Sequence, residues 1–234
     1  MKDIEKLLSI NAYPGRGIIF GMTSDMTFAV AAYFIMGRSS NSRNRVFIAD
    51  GKGIRNAAYD ESTLKDPSLV IYSPVRMCGN LLIVTNGDQT DTIYDYLRND
   101  GDYTEALRIR SYEPDAPIYT PRVSGVMDLA DGSYNLSIIK KTENPGSDSC
   151  VRQFFEYDKP NPGKGHIIHT YDRDGDPPVQ FSGEPVAVGI PGSIDDMTTA
   201  IWENLNFDNK VSLFVRFTDL KTKENHTRII NKNK

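Results

Sequence analysis

Ile4, Leu7 and Leu8 recur at helical spacing, which predicts a short amphipathic helical arm over residues 1–12, closed by Asn11 and the Tyr13-Pro14-Gly15 turn. Beyond the arm the period changes to that of strands. Residues 16–23 and 27–36 are β-prone runs separated by Ser24-Asp25-Met26, a hairpin signature. The second run is apolar at odd and even positions alike, so it is predicted to be a central strand covered by helices. Further strands are predicted at residues 45–49, 69–72, 80–85, 123–128, 134–141, 150–157, 166–171 and 210–218. Helices are predicted at residues 91–99, capped by Thr90 or Asp91, and at 193–205, with Ser193 as cap and Asp195 and Asp196 near the positive end. A shorter helical turn is expected at residues 103–108.

Hairpins mixed with a few separated helices indicate an α+β protein, since a wholly parallel sheet would need a crossover after almost every strand. Loops 112–121 and 159–165 are rich in Pro, Gly, Asp and Asn. Such loops either carry function or merely connect.

At 234 residues the chain is read as one domain, 1–234, with residues 1–12 as an N-terminal arm. No low-complexity tract or fixed-period repeat interrupts it, which sets aside disordered and solenoid architectures. The apolar stretch at residues 7–10 is too short for the core of a signal peptide, and no run approaches about 18 consecutive apolar residues, so a cytoplasmic location without membrane partners is expected. Cys78 and Cys150, the two cysteines, lie in no ligand-like spacing and are read as ordinary core thiols. The net charge of −4 argues against a nucleic-acid polymer as partner. An anionic small molecule would therefore need a local cluster of arginines.

One such cluster follows the apolar strand directly: Gly37-Arg38-Ser39-Ser40-Asn41-Ser42-Arg43-Asn44-Arg45. Guanidinium forks match phosphate oxygens, and Ser and Asn complete such a shell, although a solvated basic turn has the same composition. His166 and His169 have an odd spacing within a predicted strand, which sends them to opposite faces and argues against a shared metal. Residues 161–165, Asn-Pro-Gly-Lys-Gly, lack the phosphate-loop pattern and are read as a loop or lid.

Tyr13-Pro14-Gly15-Arg16-Gly17 and Tyr33-Phe34-Ile35-Met36-Gly37-Arg38-Ser39 together resemble the opening of the archaeal-type IMP cyclohydrolases. Three later blocks keep the order: Tyr72-Ser73-Pro74-Val75-Arg76, Thr85-Asn86-Gly87-Asp88-Gln89-Thr90-Asp91, and Tyr112-Glu113-Pro114-Asp115 with Tyr119-Thr120-Pro121-Arg122. The similarity is clearest over residues 13–128. In the C-terminal half Gly183-Glu184-Pro185 is the most family-like piece. Two departures stand out: a longer N-terminal arm, and Gln89 where some members carry histidine.

The resemblance implies an αββα sandwich like that of the N-terminal nucleophile hydrolases, without a processed nucleophile; Met1-Lys2 has no Ser, Thr or Cys close behind. It implies dehydrative ring closure of 5-formamidoimidazole-4-carboxamide ribonucleotide to IMP, with no cofactor or metal. It also implies a homo-oligomer such as a tetramer. Carried onto this chain, Glu113 moves protons, Tyr72 donates to the formyl oxygen, and Arg38 anchors phosphate or carboxamide beside the chemistry. Arg45, Arg76, Asn86, Gly87, Asp88, Thr120 and Arg122 are the expected substrate contacts, with Asp88 equally readable as a turn residue. Two alternatives remain at this level. One is a non-catalytic purine-nucleotide-binding or sensing protein. The other is an amide hydrolase with an internal nucleophile, which no visible Ser or Cys with a base partner supports.

Overall fold

The computed structural model describes residues 2–64, 67, 71–142, 144 and 146–233. In chain order its elements are α1 (Ile4–Ser9), β1 (Arg16–Met22), β2 (Phe28–Met36), α2 (Ser40–Arg43), β3 (Arg45–Asp50), β4 (Gly53–Ala58), β5 (Val75–Cys78) and β6 (Leu81–Thr85). There follow α3 (Gln89–Arg98), α4 (Tyr103–Arg108), β7 (Arg122–Asp128), β8 (Tyr134–Lys141), β9 (Cys150–Tyr157), β10 (Lys164–His169), β11 (Tyr171–Arg173) and β12 (Val179–Gln180). The chain closes with β13 (Val186–Gly189), α5 (Ile194–Trp202), β14 (Lys210–Asp219) and β15 (Asn225–Asn231).

These strands make a six-stranded sheet in the order β13-β10-β1-β2-β14-β15, a seven-stranded sheet running β3 to β9 in chain order, and the small pair β11-β12. All the pairings within them are antiparallel, so the protein mixes several antiparallel sheets with few helices. Among the described residues no helix is long and apolar enough to cross a membrane.

The doubly apolar pattern of β2 is explained by its neighbours. Ala29, Ala31, Tyr33 and Ile35 enter one core with Phe47, Ile54, Leu82, Val84, Met127 and Leu136 of the seven-stranded sheet. Val30, Ala32, Phe34 and Met36 enter a second core, with Ile4 and Leu8 of α1 and Met197 and Ile201 of α5. One face of β2 is thus covered by helices, as expected, and the other by a sheet. On the far side of the seven-stranded sheet, Ile83, Val126 and Ile139 pack against Ile93 of α3 and Tyr103, Ala106 and Leu107 of α4. β1, β2 and β14 are buried on both faces, and at about 25 cal/mol per Å² of apolar surface that burial holds them firmly in place.

Several local expectations need correction. Thr90 and Asp91 lie inside the first turn of α3; Asp88 occupies the cap position, without a side-chain cap bond. The run at 166–171 breaks at Thr170 and continues as β11 in another sheet: the Thr170 backbone N–H still donates to Arg16 of β1, while its carbonyl accepts from Phe181 beside β12. β4, β5, β13 and β15 were not foreseen: they are short, or polar at alternate positions without a strong apolar face. Of the strand expected at 69–72, residues 69 and 70 lie outside the described residues, and Ile71 and Tyr72 belong to no strand. Ser193 does cap α5, accepting from the Asp196 backbone N–H at 3.1 Å. Cys78 and Cys150 are free thiols, half-buried near α3 and α4.

Candidate active site

Strand parity decides what enters the layer between the sheets. Arg16 shares a face of β1 with Ile18 and Phe20, and Arg45 shares a face of β3 with Phe47, so both guanidiniums point where Ile and Phe point further along. Tyr33 comes from β2 and stacks on Phe47 with ring centroids 5.6 Å apart. The Tyr33 and Tyr72 hydroxyls share a hydrogen bond of 2.9 Å. At this end the inter-sheet layer therefore turns from hydrocarbon to buried cations and phenols.

Gly15 makes the entry of β1 possible. Its φ is +76°, and a Cβ there would fall 2.2 Å from Thr170 Oγ1 and 2.6 Å from the Tyr171 ring. Only glycine fits that backbone at so close an approach.

A cleft of about 320 Å³ opens onto this region, lined by Tyr13 and Arg16, by Arg38, Ser39, Asn41 and Ser42, and by Glu113, Asp115 and Thr120, with Tyr171 opposite. Arg38 reaches over the Tyr13 ring, 4.9 Å from its centroid, and pairs with Asp174 at 2.8 Å. Ser39 and Ser42 close a reciprocal capping box that shapes α2 along the cleft edge. Tyr13 stacks on Tyr171 at 5.6 Å. The Thr120 hydroxyl donates to Asp115 Oδ2 at 2.5 Å, and so accepts from the Tyr171 hydroxyl at 2.8 Å.

Glu113 is the chemically distinctive wall residue. It is 2% exposed, and its Oε1 is buried without a hydrogen-bond partner. Burial pushes its carboxyl up to about 7, against the opposing pull of the Arg16, Arg122 and Arg45 charges. Arg16 is 8% exposed, and its Nε is likewise buried and unpartnered. Burial works against its charge, yet the Tyr13, Glu113, Tyr171 and Tyr72 groups around it raise its hold on the proton above the ordinary guanidinium value. Arg45 shifts the other way, through burial and the neighbouring Arg16. Its Nε donates to the Ser42 carbonyl at 2.8 Å, while Nη1 has no partner.

Of the residues expected from sequence, Arg38, Glu113 and Thr120 line the cleft. Tyr72 is not on its lining; its hydroxyl is held by Tyr33. Arg45 turns fully inward. Arg122 donates from Nη1 to Asp88 Oδ1 and Gln89 Oε1, both at 2.7 Å, and from Nε to the Ser111 carbonyl at 2.8 Å. Asn86 Oδ1 accepts from the Val123 backbone and from Gln89, and its Nδ2 donates to the Pro121 carbonyl. Burial opposes the charge of Asp88, but Arg110 and Arg122 outweigh it and hold the carboxyl below its usual range. Gly87 sits within this network: a Cβ would lie 2.5 Å from Arg122 Nη1 and 3.5 Å from Glu113 Oε1. Arg76 belongs elsewhere, paired with Asp91 at 2.5 Å and stacked on Tyr94 along a separate cleft with Lys52 and Ser73.

Sequence reasoning gave no role to Tyr13, Arg16, Asp115 or Tyr171. An arginine heading an otherwise apolar strand was the available signal at Arg16. His166 bonds the Tyr134 hydroxyl at 2.8 Å and His169 the Tyr171 carbonyl at 3.0 Å, so the two histidines have separate partners.

A family model described as IMP cyclohydrolase-like protein matches residues 13–224. Among curated proteins the chain is similar to an IMP cyclohydrolase of Methanopyrus kandleri, 28% identical over 68% of this chain and 75% of that protein. It is also similar to the IMP cyclohydrolase of Methanothrix thermoacetophila, 26% identical over 73% of this chain and 80% of the relative. A third, from Methanosphaera stadtmanae, is 24% identical over 69% and 75% of the two chains.

Proposed function

The chain belongs to the IMP cyclohydrolase-like family, and from that premise we propose that it closes the six-membered ring of IMP from 5-formamidoimidazole-4-carboxamide ribonucleotide, with loss of water, in purine biosynthesis. The observation that carries the reading to this site is Glu113: a buried carboxyl with an unpartnered oxygen, on the wall of a cleft it shares with the buried cation Arg16 and that arginine and serine edge, its pKa pushed up to about 7 by burial.

Both reacting groups belong to one substrate, so the protein must hold the rotamer that brings carboxamide nitrogen and formyl carbon together while protons move. A base matched to neutral pH is suited to that transfer. Glu113 as carboxylate takes a proton from the carboxamide nitrogen as the new C–N bond forms, and returns it to the formyl oxygen. Arg38, with Ser39, Asn41 and Ser42, takes the phosphate, exchanging the Asp174 carboxylate for a phosphate oxygen. Tyr72 acts from behind the wall, holding Tyr33 against the buried guanidiniums. Arg122, held by Asp88 and Gln89, acts on Glu113 through its charge, Gly87 leaves room beside the Glu113 carboxyl, and Thr120 fixes Asp115 at the cleft.

The two packed sheets with helices on both outer faces support the αββα layering of the N-terminal nucleophile hydrolases over one domain, 1–234. We read the enzyme as cytoplasmic, acting as a homo-oligomer on a small ribonucleotide. The test is ultraviolet-monitored turnover of the formamido-carboxamide ribonucleotide by purified protein, without added metal or nucleotide. Ring closure to IMP is expected. Tight IMP binding without turnover would instead indicate a sensing protein.

A further inference from the structure

The proposed reaction places negative charge on the formyl oxygen when the amide nitrogen adds to it, and the roles given so far, a proton carrier at Glu113 and a phosphate anchor at Arg38, assign that charge no donor while it develops. Tyr72, the donor expected from sequence, is not on the cleft lining and shares its hydroxyl with Tyr33. Three buried polar atoms of cleft-wall residues lack partners: Arg16 Nε, a donor, and two acceptors, Glu113 Oε1 and Asn41 Oδ1, the last on the α2 edge beside the phosphate anchor Arg38. A donor and an acceptor left unpaired in one cleft match the two polar ends of the reacting pair, an oxygen that gains charge and an N–H that loses a proton. Buried groups without partners are costly, and native folds keep them where a ligand completes them.

We infer that Arg16 is a further catalytic residue, whose guanidinium Nε–H receives the formyl oxygen while Glu113 Oε1 receives the carboxamide proton. This rests on the ring-closure reading above. The amide nitrogen forms a bond to the formyl carbon as the carbonyl π bond breaks, and the electron pair goes to oxygen facing Arg16. Glu113 takes one proton from that nitrogen and delivers it to the alkoxide, giving the carbinolamine. The hydroxyl then leaves as water, with Glu113 relaying the proton lost by the former formamide nitrogen, and the C=N bond closes. Two N–H protons and the formyl oxygen become one water, and no oxidant or co-reactant is required. Arg16 suits this role because it begins β1, one of the strands buried on both faces, so its position is fixed before substrate arrives.

Arg16→Gln and Arg16→Lys test the assignment, with kcat, KM and the pH dependence of kcat/KM measured on the formamido-carboxamide ribonucleotide. Wild-type turnover comes first: its absence would overturn the ring-closure reading rather than the role of Arg16. Removing one donor of an oxyanion site typically costs about 10²–10³ in kcat, so Arg16→Gln is expected to fall in that range with KM within about threefold. Arg16 holds the Glu113 carboxyl down, so the limb near pH 7 should move upward in Arg16→Gln and stay nearer wild type in Arg16→Lys, which also recovers part of kcat. Two results would overturn the assignment: kcat of folded Arg16→Gln within threefold of wild type, or a loss carried wholly by KM. If Arg16→Gln does not fold, the lysine variant decides alone. A kcat lowered about tenfold or more at unchanged KM supports the role, and wild-type kcat refutes it.

Discussion

Arg16 and Arg122 are almost equally buried, 8% and 5% exposed, and each is the first residue of a strand. They face different layers. Arg122 shares its side of β7 with Val126, toward α3 and α4, where Asp88, Gln89 and the Ser111 carbonyl take its donors. Arg16 faces the space between the sheets and keeps a donor unpaired beside Glu113. A buried arginine with no buried donor left over is a brace, whereas one with a buried donor unpaired at a cleft wall is available to a substrate. Arginine content identified both as candidates; hydrogen-bond accounting separates them.

The sharpest way to break this distinction is Glu113→Gln. General acid-base residues contribute about 10²–10⁴-fold, so kcat should fall by that order with KM little altered. Wild-type kcat/KM should rise with pH through about 7, where the carboxylate forms, and the variant should lack that limb. The same variant carries a stability signature. The folded pKa lies above the unfolded value near 4.5, so ionisation disfavours folding: stability is greatest below about 4.5 and declines as pH climbs through 7. At pH 8 the glutamine variant should therefore unfold at higher temperature than the parent, by on the order of 3 kcal/mol, the two converging below about pH 4.5. A wild-type kcat, or a stability difference of opposite sign, would remove Glu113 from its role.

Next in size is Arg38→Ala. Loss of a charge-assisted contact worth about 1.5–3 kcal/mol should raise KM roughly 10- to 100-fold with kcat largely retained. An unchanged KM in the folded variant would detach the phosphate from this edge of the cleft.

Arg122→Leu should act on the fold first. It strands Gln89 Oε1 and half of the Asp88 pairing, which should cost about 1–3 kcal/mol and lower the melting temperature by about 2–4 °C per kcal/mol. At a pH above the Glu113 limb its kcat should stay within a few-fold of wild type. A loss of kcat as large as that of Glu113→Gln, at unchanged stability, would erase the contrast with Arg16.

The smallest effect is expected at Arg76→Ala. Its pairing with Asp91 is between partly exposed side chains, worth about 0–1 kcal/mol, and it lies on a separate cleft. Both kinetic constants should remain within about twofold. A large rise in KM would show that the second cleft takes part in substrate binding.

Local patterning determined much by itself. The apolar runs that became β1, β2, β8, β9 and β14, and the Ser193 cap of α5, were readable because period and capping are properties of neighbouring residues. The ordered blocks around Tyr13, Arg38, Tyr72, Asn86 and Glu113 pointed to the family and to Glu113, Arg38 and Thr120 on the cleft wall. What only the tertiary structure decided was which arginine meets which layer. Parity places Arg16 and Arg122 on definite faces of their strands, but nothing local says whether that face meets a helix cap that takes its donors or a cleft wall where one donor stays unpaired. Short strands such as β4, β5 and β13 form because a neighbouring edge supplies their hydrogen bonds, and their own residues carry little sign of it. The carboxyl of Glu113 rises to about 7 for the same reason: burial by segments far apart in the chain removes the water that would otherwise hold its charge.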